Sequence, residues 1–228
     1  MTHYPGNMKV KGIARTVRPA MPAGVVVAVL LLAVLAGPGC SILPEAAADP
    51  TRYYVMDDPA AADAPVAAAP GSEGRVAIRS IELPAYLRNS RSMVVRAGEN
   101  EVRYEDFSRW AEPLEAGIQR VLKERLAAVM GVSSVASFPL GAGETRQWDL
   151  RVRVMRCEGN APRAGGSGVL FSAGYQIVAA TDGAPVAQGE FAVTDLAWDG
   201  HDFGELARQL SRAVARLATD IAGSMPKR

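Results

Sequence analysis

Residues 148–154 read WDLRVRV: Trp148, Leu150, Val152 and Val154 alternate with Asp149, Arg151 and Arg153. Successive side chains of a strand point to opposite faces, so this period of two writes one apolar face and one charged face. It is the pattern of an antiparallel strand with one side in a core and the other in water. Downstream, a Gly-rich turn over 159–168 leads into an apolar run at 169–181. Asp182-Gly183 then turns the chain into 185–194. The second half of the chain therefore reads as a meander of strands.

Two helices flank this meander. Pro113 suits a first helical position, where its missing N–H costs nothing. Leu114, Ile118, Val121, Leu122, Arg125, Leu126 and Val129 follow it at three-four spacing, all apolar except Arg125, and Gly131 offers a C-terminal stop. The second helix begins after His201. Asp202 is placed to cap it and Glu205, three residues on, to complete a capping box. Phe203, Leu206, Leu210, Val214, Leu217 and Ile221 form its apolar stripe, with Gly223 at its end.

Toward the N-terminus, 52–57 (RYYVMD) and 75–83 read as strands, the latter closed by Pro84. Residues 93–96 and 101–104 read as a hairpin across Ala97-Gly98-Glu99-Asn100. Between the first two strands, 58–74 is Ala/Pro-rich, with Pro59, Pro65 and Pro70, and reads as an extended loop. The order strands, helix, strands, helix specifies an α+β domain: a mostly antiparallel sheet with two amphipathic helices packed on one face.

Residues 9–41 have a different character. Lys9, Lys11, Arg15 and Arg18 precede a stretch from Pro19 to Pro44 with no charged residue, and Val25 to Ala36 contains only Val, Leu and Ala. Basic flank, short apolar core, then small residues is the layout of an export signal. Its twelve-residue core falls short of the about twenty that a spanning helix needs. The stretch ends in Gly39-Cys40-Ser41, which marks Cys40 as a lipidation site and new N-terminus. Lipidation motifs commonly carry Leu three residues before the cysteine; here that position is Gly37, followed by Pro38. Residues 1–39 thus read as a lipoprotein signal peptide, 40–50 as a tether, and 51–228 as a single periplasmic domain. The alternative is an uncleaved inner-membrane anchor bearing the same periplasmic domain. In both cases the basic flank stays inside.

The first 39 residues hold four of the 25 Lys and Arg residues and none of the 24 acids. The rest of the chain therefore carries 21 bases against 24 acids, a formal −3. That charge argues against a nucleic-acid partner. Only Cys157 accompanies Cys40, so no intramolecular disulfide is expected, and Cys157 reads as a buried inert thiol. No catalytic residue set emerges. There is no G-x-S-x-G elbow, and no GK[ST] follows the glycines of 159–168. His201, between Asp199 and Asp202, lacks the second histidine of a usual zinc site and reads as a polar turn before a capped helix. Neither a metal site nor a cofactor is expected, nor an enzyme.

Several segments resemble the ABC-type transport auxiliary lipoproteins, the PqiC-like family. They are Tyr53-Tyr54-Val55-Met56-Asp57, Ile81-Glu82-Leu83-Pro84-Ala85-Tyr86-Leu87 and Met93-Val94-Val95-Arg96. The most specific is Arg109-Trp110-Ala111-Glu112-Pro113-Leu114, running into the helix of Ile118 and Val121-Leu122. The sequence departs from that family after Leu87: an Asp-Arg pair is frequent there, and Arg88-Asn89-Ser90-Arg91 stands here. The resemblance implies a non-enzymatic envelope lipoprotein that accompanies an MCE-domain protein and an ABC permease in moving lipids between membranes. It implies attachment by a lipid anchor to the periplasmic face of the outer membrane, to which Ser41 after the cysteine is suited. A general envelope scaffold is the alternative. A docking role would suit a symmetric homo-oligomer. Tyr86, Arg88 and Arg109 are the candidate partner-binding residues, since aromatic and Arg anchors dominate interfaces. Trp110 is either another such anchor or a plug between helix and sheet.

Overall fold

Strand β6 (Trp148–Asn160) is thirteen residues long and organises the sheet around it. In the computed structural model, which describes residues 24, 27, 48–58, 75–130, 135–161 and 167–226, one compact unit spans Asp49–Arg228. The other elements are β1 (Arg52–Tyr54), β2 (Val76–Glu82), α1 (Ala85–Arg88), β3 (Ser92–Arg96), β4 (Val102–Trp110), α2 (Leu114–Met130), β5 (Val135–Ser137), β7 (Gly168–Ala179), β8 (Pro185–Val193) and α3 (Phe203–Ser224). Along one edge β6 pairs antiparallel with β7 from Trp148 to Asn160, and β8 continues beyond β7. Its other edge is shared. Trp148 to Arg153 pair in parallel with β2, and Gly159 and Asn160 pair in parallel with β3. β5 adds to β2, while β4 and then β1 add to β3. Antiparallel ladders hold most of the paired residues of this α+β sheet, with the two long helices packed over it.

The alternation holds from Leu150 to Val154: Leu150, Val152 and Val154 are buried, and Arg151 and Arg153 are exposed. It fails at the start, where Trp148 is half-buried and Asp149 is buried against Arg146 and Arg79. A register shift between Val154 and Arg156 then inserts an extra residue and breaks the alternation. α2 and α3 contact each other. α2 lies over β2 and β5, and α3 over β7 and β8. Leu206, Leu210, Val214, Leu217 and Ile221 of α3 are all essentially solvent-free. Each such side chain contributes about 1.5–3 kcal/mol on the area scale, an upper bound given a compact unfolded chain.

The ends of α3 are set locally. The Asp202 carboxylate accepts the Gly204 and Glu205 N–H groups at 2.8 and 3.1 Å. Glu205 does not close a capping box; it bonds Gln209 and Arg208 on its own helix. The Asp202 N–H goes instead to Asp199 Oδ1 at 2.8 Å. Trp198 completes this corner, its indole N–H donating to the Asp202 carbonyl at 2.7 Å.

Several boundaries differ from the sequence reading. β1 stops at Tyr54 because the chain then leaves the sheet and ties to the helices: the Met56 carbonyl accepts from Arg120 of α2, and the Asp57 N–H donates to Ser211 of α3. β6 and β7 run into the expected Gly-rich turn, leaving 162–166 outside the described residues. β5 was too short to announce itself. Leu83-Pro84 is followed by one helical turn, α1, in which the Leu87 and Arg88 N–H groups reach the Pro84 carbonyl at 3.0 and 3.1 Å. The signal peptide expected over 1–39 lies outside the described residues except for 24 and 27, as do Cys40, Gly131 and 59–74 of the Ala/Pro-rich loop. Among the described residues no helix is long and apolar enough to cross a membrane.

Two glycines of the sheet make opposite predictions. A Cβ on Gly159 would sit 2.4 Å from the buried Trp198 ring, whereas one on Gly174 would meet nothing nearer than 3.8 Å. Gly159→Ala should therefore cost about 1–3 kcal/mol through overpacking. Gly174→Ala should be neutral or stabilise by about 0.4–1 kcal/mol. Chemical denaturation of both variants checks this; equal midpoints would refute the packing at Trp198.

Candidate docking surface

The three candidate anchors fall into two groups. Tyr86 and Arg88 lie on α1, and Arg109 lies near the end of β4, opposite Tyr53 of β1. Arg88 and Arg109 are exposed, and Tyr86 is half-buried. Trp110 is 4 % exposed and its N–H donates to the Arg91 carbonyl at 2.7 Å. It is the plug, ending β4 beneath the helix layer. The tyrosine pair divides as a strand requires: Tyr53 faces out, and Tyr54 packs against the core.

α1 positions Tyr86 over an interior ion pair that the sequence did not reveal. Glu158 is fully buried, and its Oε1 accepts from Arg96 Nε and Nη2 at 3.0 and 2.7 Å. The Tyr86 hydroxyl reaches the Met155 carbonyl at 3.4 Å, and Tyr104 donates to the Tyr86 carbonyl at 3.1 Å. Burial, then the neighbouring Glu158, pushes the Tyr86 hydroxyl well above the ordinary tyrosine value, so it stays protonated. Next to it, burial above all holds the Cys157 thiol far above its usual pKa. Cys157 is a free, buried thiol, as its place in an apolar strand implied. The register shift explains why Glu158 was missed: strict alternation ends just before it, and the sequence offered only an Arg at the end of one strand and a Glu at the end of another.

Asp199 and His201 occupy a loop rather than a site. The Asp199 carboxylate accepts the His201 and Asp202 N–H groups at 2.8 Å each. These backbone bonds hold its pKa below the usual carboxylate range. A depressed carboxylate pKa stabilises the fold above about pH 4, and the contribution is lost as pH falls through the lowered value. Among the described residues no three His, Cys, Asp or Glu side chains are grouped to hold a metal ion.

The family model for ABC-type transport auxiliary lipoprotein components matches residues 54–222, from the end of β1 to the last turns of α3. The chain belongs to this family. It is a lipoprotein-family component of ABC-type transport, as its ordered segments from Tyr53 to Leu114 implied. No curated protein matches it significantly. A crystal structure of an uncharacterised protein is similar at 20% identity and a TM-score of 0.58, covering 76% of this chain and 97% of that one. A Xanthomonas campestris protein is similar at 16% identity and a TM-score of 0.57, covering 76% and 90%. At these identities both likenesses show the fold alone. The auxiliary lipoprotein fold accounts for the buried positions of Met93, Val94, Val95 and Trp110 within the matching segments.

Removing one member of the interior pair should be costly. Arg96→Met strands the Glu158 carboxylate without its cation and should destabilise by about 3–5 kcal/mol. Adding Glu158→Gln should recover part of that loss. Denaturation of the single and double variants measures it; a single variant as stable as the parent would show that the pair does not form. Cys157 should resist alkylation in the folded protein and react once denaturant is added.

Proposed function

We propose that this chain is the envelope lipoprotein subunit that docks an MCE-type lipid transport assembly at the outer membrane, acting by protein contact. The support for this reading is the auxiliary-lipoprotein match over 54–222, placed directly after an export signal that ends at Gly39-Cys40. In this reading Cys40 carries the lipid anchor. The partners are an MCE-domain protein and its permease, and a homo-oligomer would present several docking surfaces at once.

Of the three candidate anchors, Arg88 is best placed for docking. It ends α1, is exposed, and follows Leu87, whose burial fixes the helix beneath it. Arg109 is also exposed. Tyr86 is half-buried and acts as the support that holds α1 to β6 through the Met155 carbonyl.

Cys40→Ala should abolish labelling by radioactive fatty acid and release the domain from membranes. Undiminished labelling would end the assignment of Cys40. Purification of tagged protein from crosslinked membranes should recover an MCE-domain protein, and Arg88→Ala should weaken that recovery while leaving the melting temperature unchanged. Recovery of envelope proteins without any MCE-domain protein would replace this reading with the scaffold alternative.

A further inference from the structure

Within 49–228, six large apolar side chains are exposed among the described residues, and four of them lie on β1, its continuation and β4. Tyr53 is 61 % exposed, Val55 51 % and Phe107 56 %; Tyr104 is the fourth. The alternation of β4 buries Ser108 and Trp110 and turns Phe107 and Arg109 outward. Tyr53 lies opposite Arg109 in the parallel ladder, so Tyr53, Phe107 and Arg109 share the outward face of this sheet edge. Grouped exposed aromatic side chains mark an interaction surface rather than the scatter found on any protein.

This edge carries no basic excess. Arg52, Arg103 and Arg109 stand among Asp49, Glu105 and Asp106, with Asp199 and Asp202 lining the hollow beside Arg52 and Phe107, and Arg103 is tied to Glu105 at 2.8 Å. The edge offers rings with arginines beside them, the composition that settles at the boundary between hydrocarbon and water. Its place in the chain selects the occupant. Asp49 comes nine residues after Cys40, which limits their separation to about 32 Å even if fully extended. β1 is the first element after that tether, so this edge, rather than the distant β8, is the part of the domain delivered to the bilayer.

We propose that the β1–β4 edge is a membrane-contact surface: Tyr53, Val55 and Phe107 enter the lipid interface, with Arg109 at headgroup level. The inference rests on the proposed lipid anchoring at Cys40 and adds an orientation to it. The domain lies with this edge on the bilayer and with α1 and Arg88 left to face a partner. Because the edge has no basic excess, contact should be no weaker on phosphatidylcholine than on anionic lipid, and on phosphatidylcholine it should barely respond to salt.

The test uses membrane-purified lipoprotein reconstituted into phosphatidylcholine vesicles. A nitroxide is placed on the outward face by Arg109→Cys or, on the far edge, by Gln188→Cys; the buried Cys157 thiol does not compete for label. The label at 109 should collide several-fold less often with a water-soluble nickel chelate than the label at 188. Tyr53→Ser with Phe107→Ser should erase that difference without moving the melting temperature. Protein that floats with the vesicles but shows equal accessibility at 109 and 188 overturns the surface and leaves the anchor intact. Protein that fails to float overturns both. Protection at 109 that follows protein density rather than lipid assigns the edge to contact between copies and overturns the membrane reading.

Discussion

The fold depends on one strand serving three neighbours. β6 is long enough to hold β7 along one edge and to divide the other between β2 and β3. Everything N-terminal of α2 joins the sheet through that divided edge. The division falls where the ladder with β7 shifts register, between Val154 and Arg156. Bulges bend and twist the strand that carries them, and the carbonyl of the extra residue, Met155, is the one that accepts from Tyr86 of α1. The Arg96–Glu158 pair then joins β3 to β6 just where only two residues of direct pairing connect them.

Much of this was legible in the sequence because burial leaves a periodic trace. The helix at 114–130 announced itself through Leu114, Ile118, Val121, Leu122 and Leu126, and the strand at 148–154 through its alternating arginines. Where two constraints act on one residue, the trace fails. Met56 and Asp57 look like strand residues, but their backbone serves Arg120 and Ser211. Glu205 fits a capping motif, yet Asp199 already satisfies the donor it would have served. β5 and α1, at three and four residues, complete hardly more than one period each, too little repetition to read.

The candidate surface was legible in kind and not in arrangement. Tyr86, Arg88 and Arg109 were selected as residue types that anchor interfaces, and sequence distance gives no measure of how far apart folding leaves them. The family match over 54–222 places the whole domain in one family. The two groups of anchors nevertheless sit on different elements, α1 and β4. Trp110 illustrates the converse. Its residue type suits an anchor equally well, and only the turn of β4 put it inside.

The join between the first and last elements has a consequence for how the chain is made. Asp57 is held by Ser211, which lies 154 residues later, and β1 has α3 as a neighbour. Contacts of such separation are slow to form, since the intervening loop must close before they reward it. A chain made from its N-terminus therefore completes the contacts of its first strand only once its last helix has been made.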